Sequence, residues 1–161
     1  MPTLLVMRHA KSDWDADYGP DHDRPLNRRG VEAARRIGVV LATDHLVPDL
    51  VVTSTAIRAR TTAELAAEAG DWSCDIVEDG RLYGGGTDTA ITVAAEAGDV
   101  SRLMLVGHQP TWSMLVRRLT GQAVDMKTAA VAIIDVPTDT WAELSKAECS
   151  LARLIVPRDH Q

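Results

Sequence analysis

The chain has 161 residues, enough for one domain with a sizeable core and too few for two comfortable ones. Hydrophobic residues make up 45% and charged residues 25%, an ordinary soluble globular balance. The net charge of −6 argues against general binding to nucleic acid or an anionic membrane, so any anion site must be a local cluster of cations.

The elements alternate between strand and helix. Thr3–Met7 is a short apolar run that reads as a buried strand, stopped by Arg8-His9. Residues 10–25 form an Asp-rich polar loop with Pro20 and Pro25. Asn27 can cap a helix running to about Ala42, with Val31, Ala34, Ile37 and Leu41 along one face. Leu50–Thr53 is a second strand, and a helix from about Thr55 to Ala69 closes at Gly70. Cys74–Val77 is a third strand. Gly84-Gly85-Gly86 is a turn, without the Gly-Lys-Ser/Thr ending of a P-loop, and Thr87 can cap a helix to Ala97. Leu103–Val106 is a fourth strand ending at Gly107-His108, and Pro110 opens a helix that ends near Gly121. Ala130–Val136 and Leu151–Val156 read as strands, with Trp141–Leu144 a weaker third. No helix-sized segment separates them, so they pair antiparallel at a sheet edge. The pattern predicts one α/β domain over residues 1–161, with helices on both faces of a mostly parallel sheet.

Cys74 and Cys149 are the only cysteines. They cannot make a disulfide framework, and no Cys/His cluster has zinc spacing, so the expectation is two reduced thiols in a cytoplasmic protein. No secretory h-region is present, and no stretch approaches the ~20 apolar residues needed to span a bilayer.

The strand assignments make a geometric prediction. Arg8 and His9 follow the first strand, Arg58 lies in the first turn after the second, and His108 follows the fourth. If those strands are parallel and adjacent, all four side chains gather on one rim of the sheet, where open α/β sheets bind ligands. Arginine offers a planar fork of donors matched to phosphate, and neutral imidazole offers a nucleophilic nitrogen. Two guanidiniums would neutralise the oxygens that carry charge during phosphoryl transfer, so no metal or other cofactor is required.

At these residues the sequence resembles the histidine phosphatase superfamily. Arg8-His9-Ala10, Ser54-Thr55-Ala56-Ile57-Arg58-Ala59-Arg60-Thr61 and Val106-Gly107-His108-Gln109-Pro110 are similar to its motifs, in the same order. The small size and the phrases Arg8-His9-Ala10-Lys11-Ser12 and Arg24-Pro25-Leu26-Asn27-Arg28-Arg29-Gly30 resemble its SixA-type phosphohistidine phosphatase branch. The resemblance implies a three-layer α/β/α sandwich, phosphoglycerate-mutase-like without a lid insertion. It implies that His9 is the phosphorylated nucleophile and that Arg8, Arg58 and His108 hold the phosphate. Ser12 and Lys11 are further candidates for phosphate or carrier contact.

Two departures stand out. Ala10 replaces the glycine that usually ends the first motif. Larger relatives place a glutamate proton donor near Leu82-Tyr83-Gly84, where this chain has no acid. Asp13, Asp15, Asp21 and Asp23 are candidate substitutes in the first loop. The chain leaves little room for a lid between Arg58 and Leu82, and an open pocket suits a phosphate carried on a protein surface. The missing acid suits a leaving imidazole that is protonated beforehand.

Each feature has a plainer reading. Asp21-His22-Asp23 reads as a solvated loop rather than a metal site. Arg28-Arg29 and Arg117-Arg118 read as solvated helix residues, and Trp112 and Trp141 as core. The leading expectation is a metal-independent phosphatase acting through phospho-His9 on a phosphohistidine protein, with neither nucleic acid nor membrane as partner. The alternatives are a phosphatase of small esters, such as sugar or nucleotide phosphates, and a binding module that recognises phosphate or phosphohistidine without turnover. A mutase is disfavoured, because it needs a closed site that keeps water from the phosphoenzyme.

Overall fold

A computed structural model describes residues 1–161. Six strands form one sheet: β1 (Thr3–Arg8), β2 (Leu50–Thr53), β3 (Asp75–Glu78), β4 (Arg102–Gly107), β5 (Val131–Asp135) and β6 (Ser150–Ile155). Their order is β3-β2-β4-β1-β5-β6. The first four run parallel, and β5 and β6 add an antiparallel edge. The helices are α1 (Arg28–Thr43), α2 (Ile57–Gly70), α3 (Thr87–Ala95) and α4 (Thr111–Thr120).

Alternation along the central strands divides the core in two. Leu4 and Val6 of β1, with Leu103 and Leu105 of β4, pack beneath α3, α4 and the turn at 141–146. Leu5, Met7, Met104 and Val106 face the other way, under α1 and α2. This is the expected three-layer arrangement, since period-two strands buried on both faces need a helical layer on each. Trp112 and Trp141 are core residues, each donating its indole N–H to a backbone carbonyl, of Met7 and Val100 respectively. No helix is long and apolar enough to cross a membrane.

Three local readings are corrected. Trp141–Lys146 is a 3₁₀ helix and not a third strand; Trp141 and Leu144, three apart, both turn into the core. Gly70 is the last residue of α2 rather than its left-handed cap, which falls to Asp71 at φ 55°. The glycine serves close approach instead: a Cβ on Gly70 would lie 2.3 Å from the Gly38 carbonyl oxygen. Residue 38 meets α2 in the same way, so α1 and α2 touch through backbone. Thr87 is the first residue of α3, behind Gly86, and that helix stops at Ala95.

The phrase Leu26-Asn27-Arg28-Arg29-Gly30 has a physical reading. Leu26 bridges to Ser12, and Asn27 caps α1 by accepting the Gly30 N–H at 2.8 Å. The Asn27 N–H in turn donates to the Lys11 carbonyl at 3.0 Å. A Cβ on Gly30 would fall 2.1 Å from that same carbonyl oxygen. The start of α1 is therefore pressed onto the segment that follows His9.

Candidate active site

The parallel register brings the ends of β1, β4 and β2 level: Arg8 is opposite Gly107, and Thr53 is opposite Val106. The ladder then runs one residue further. The His9 N–H donates to the Gly107 carbonyl and the Ser54 N–H to the Val106 carbonyl, both at 2.9 Å. On the other side, the Ala129 N–H donates to the His9 carbonyl at 3.1 Å. His9 thus sits on backbone fixed from both neighbours.

Its ring is fixed as well. His9 Nδ1 lies 2.7 Å from the Ala10 carbonyl oxygen. A carbonyl can only accept, so Nδ1 carries the proton and Nε2 keeps its lone pair. Burial, followed by the charges of His108, Arg58 and Arg8, holds the His9 pKa down to about 3 despite the Ala10 hydrogen bond, which favours protonation. The imidazole is therefore neutral at pH 7.

The expected residues do converge. Arg8, His9, Ser12, Arg58 and His108 line one cavity of about 350 Å³, together with Lys11, Trp14, Arg24, Gln109 and Thr128. The His9 and His108 ring centres are 5.2 Å apart. His108 Nε2 shares a hydrogen with Ser54 Oγ at 2.8 Å, and burial followed by the Arg58 charge lowers its pKa to about 4. Arg8 is anchored by the bond from Nη1 to the Met126 carbonyl at 3.0 Å. Arg58 lies in the first turn of α2, buried, and its carbonyl accepts from Thr62 Oγ1 at 2.6 Å. The same Thr62 hydroxyl accepts the Ala10 N–H at 2.9 Å, tying α2 to the turn that carries the nucleophile candidate.

Arg24 is a third cavity guanidinium that the spacing argument did not select as a site residue. It is buried, donates to Ser12 Oγ and Asp21, and stacks 3.6 Å beneath the exposed Trp14 ring. Its only sequence signal was its place in the Arg24-Pro25-Leu26 phrase. Ser12 is thus buried at the cavity with its hydroxyl engaged by Arg24. Lys11 is exposed at the rim.

Asp21 is the one first-loop acid drawn into this network. It accepts from Arg24 (3.1 Å), Arg58 (3.0 Å) and the Tyr83 hydroxyl (2.9 Å). Desolvation pushes its carboxyl up, but these bonds and the Arg58 charge outweigh it and hold the pKa at about 2. Asp21 is a fixed carboxylate, with no proton to give near neutrality. Tyr83 occupies the loop at 82–84 and makes an edge contact with His108.

Electrostatically the site is unbalanced. Three guanidiniums surround it, and Asp21 is the only carboxylate paired with any of them. Arg8 Nε, Arg24 Nε, Arg58 Nε and His108 Nδ1 are buried with no acceptor. Buried cations left in excess call for an anion, and a tetrahedral oxyanion fits both the charge and the fork geometry.

A family model of the histidine phosphatase superfamily (branch 1) matches residues 4–83, which carry His9 and all three arginines. The chain belongs to the histidine phosphatase superfamily. An uncharacterized protein of Mycobacterium tuberculosis is 37% identical over 94% of this chain and 100% of its own length. The structure of a candidate phosphohistidine phosphatase SixA from Nakamurella multipartitia superposes with a TM-score of 0.86 at 29% identity, covering 97% of this chain and 96% of that one. A second SixA candidate, from Agrobacterium tumefaciens, superposes at 0.83 and 28% identity, over 98% and 99% of the two chains. The superfamily and these neighbours support a phosphatase, and the fold matches SixA structures that are phosphoglycerate-mutase-like.

Proposed function

We propose that this chain is a metal-independent phosphatase that works through a phosphorylated His9 and acts on phosphohistidine carried by a protein. The observation that carries the catalytic part is the His9 ring. Nδ1 is committed to the Ala10 carbonyl, which leaves Nε2 as an unprotonated nucleophile among three guanidiniums.

In the first step Nε2 attacks phosphorus in line, forming a P–N bond as the P–N bond of the substrate breaks. The leaving imidazole carries the electron pair away, and a substrate ring protonated beforehand departs neutral. Arg8, Arg24, Arg58 and His108 hold the equatorial oxygens. Phospho-His9 is cationic in its ring, and the Nδ1–H bond to Ala10 stabilises that charge. Water then attacks phosphorus, the P–Nε2 bond breaks, and orthophosphate and neutral His9 are released.

The substrate class rests on two features. No carboxylic acid free to protonate a poor leaving group stands in the cavity, since Asp21 is locked as a carboxylate. Between α2 and α3 there are only β3 and one turn at 80–82, so no inserted lid closes the mouth. Steady-state turnover of a phosphorylated histidine phosphotransfer domain against a panel of sugar and nucleotide phosphates tests the assignment. Higher kcat/KM on the protein is expected, and a strong preference for the metabolites would overturn the substrate class. A pure binder of phosphohistidine would show no turnover of either.

A further inference from the structure

A second and larger concavity, about 730 Å³, adjoins the phosphate cavity and shares Lys11 and Thr128 with it. Its wall is one face of α1, at Arg29, Glu32, Ala33 and Arg36, and its floor is the 125–128 loop and the segment from Leu154 onward. Five cationic side chains line it, Lys11, Arg29, Arg36, Lys127 and Arg158, against three acids, Glu32, Asp125 and Asp159. Two of those acids are already engaged: Asp125 by Lys127 at 2.7 Å and Glu32 by Arg28 at 3.5 Å. Lys11, Arg29, Arg36 and Arg158 make no ion pair. Elsewhere on this acidic chain Arg35, Arg60, Arg81, Arg118 and Arg153 are each paired with a carboxylate, while the exposed Arg117 and Lys146 are single unpaired cations outside the groove.

We propose that this groove is a docking surface for an acidic protein segment flanking the phosphorylated residue. The inference rests on the protein-substrate reading above and adds the partner's charge to it. The cations are solvated, spread along an open trough, and have no buried donor converging on one point. That arrangement suits long-range attraction to an extended acidic surface and does not suit chelation of one compact anion. The shared Lys11 makes the trough continuous with the pocket, so a segment lying in it places its phosphoryl group at His9. Gly30 maintains that continuity by letting α1 press onto the Lys11 backbone.

The test uses two peptides bearing a non-hydrolysable phosphohistidine analogue, one with acidic flanks and one with basic flanks, with dissociation constants measured by fluorescence anisotropy. At low salt the acidic peptide should bind about tenfold tighter or more. The preference should collapse in R29E/R36E and in about 0.5 M salt, with p-nitrophenyl phosphate turnover unchanged. Should the double variant lose ester turnover, R158E serves as the folded replacement and must narrow the preference. Equal affinity for both peptides, or a preference untouched by these variants, would overturn the groove. Failure of the wild type to hydrolyse authentic phosphohistidine peptides would instead overturn the substrate reading, leaving flank preference in binding still measurable.

Discussion

Arg58 grips Asp21 twice, through Nη2 to Oδ2 at 3.0 Å and through Nη1 to the backbone carbonyl at 2.9 Å. One residue of the first loop therefore fixes the plane of a guanidinium that arrives from the first turn of α2. The same carboxylate holds Arg24 and Tyr83, so it orients cations and does not deliver protons. Asp21→Asn should reduce kcat by about tenfold, well short of the 10²–10⁴ lost with a general acid. The alkaline limb of the pH–rate profile, where a general acid would lose its proton, should stay where it was. A loss of 10³ or more with removal of that limb would make Asp21 the proton donor.

Both cavity histidines are held below their ordinary value of 6.5, His9 at about 3 and His108 at about 4, chiefly by burial. Between pH 6.5 and about 4 the unfolded chain binds protons that the folded chain refuses. Stability therefore falls as pH drops through that window, and neither histidine costs anything at pH 7 or above. The melting temperature should decline on acidification from pH 7 to 4.5, more steeply in the wild type than in His108→Asn. The proposed nucleophile stays neutral throughout, so kcat/KM should show no limb near pH 6.5 arising from free His9.

Thr62 is buried and links the Ala10 N–H to the Arg58 carbonyl. Thr62→Val keeps the shape and orphans that N–H, which costs about 1–3 kcal/mol. For a chain of this size that corresponds to roughly 2–12 °C in Tm. Thr62→Ser should keep most of both stability and activity. Equal Tm values for the Val and Ser variants would contradict the role.

Helix propensity alone favours alanine over glycine at position 38 by up to about 1 kcal/mol. Contact wins over propensity here, because a Cβ would meet the Ala66 carbonyl oxygen at 1.9 Å. Gly38→Ala should force α1 and α2 apart and lower stability by about 1–3 kcal/mol or more in chemical denaturation. A raised denaturation midpoint would show that the helices have slack.

The sheet was legible because its central strands are short apolar runs ending in abrupt polar pairs, so Arg8-His9 and Gly107-His108 marked the rim. Asn27 announced its cap through its place ahead of an amphipathic stretch. Arg24 and Asp21 were harder, since they lie on an irregular loop whose path is set by contacts and not by periodicity. Thr62 carries no signal in the sequence, and only the packing of α2 against the His9-Ala10 turn gives its hydroxyl a purpose. Trp141–Leu144 misled because an apolar pair three apart fits a tight helical turn as well as a short strand.

The most direct measurement is rapid trapping in alkaline detergent with ³²P-labelled substrate in the wild type and in His9→Ala. Label should appear on the His9 peptide, stable to base and labile to acid. His9→Ala should trap none and lose turnover, while still binding tungstate through its arginines. Covalent label on another residue, or undiminished turnover by His9→Ala, would contradict the account.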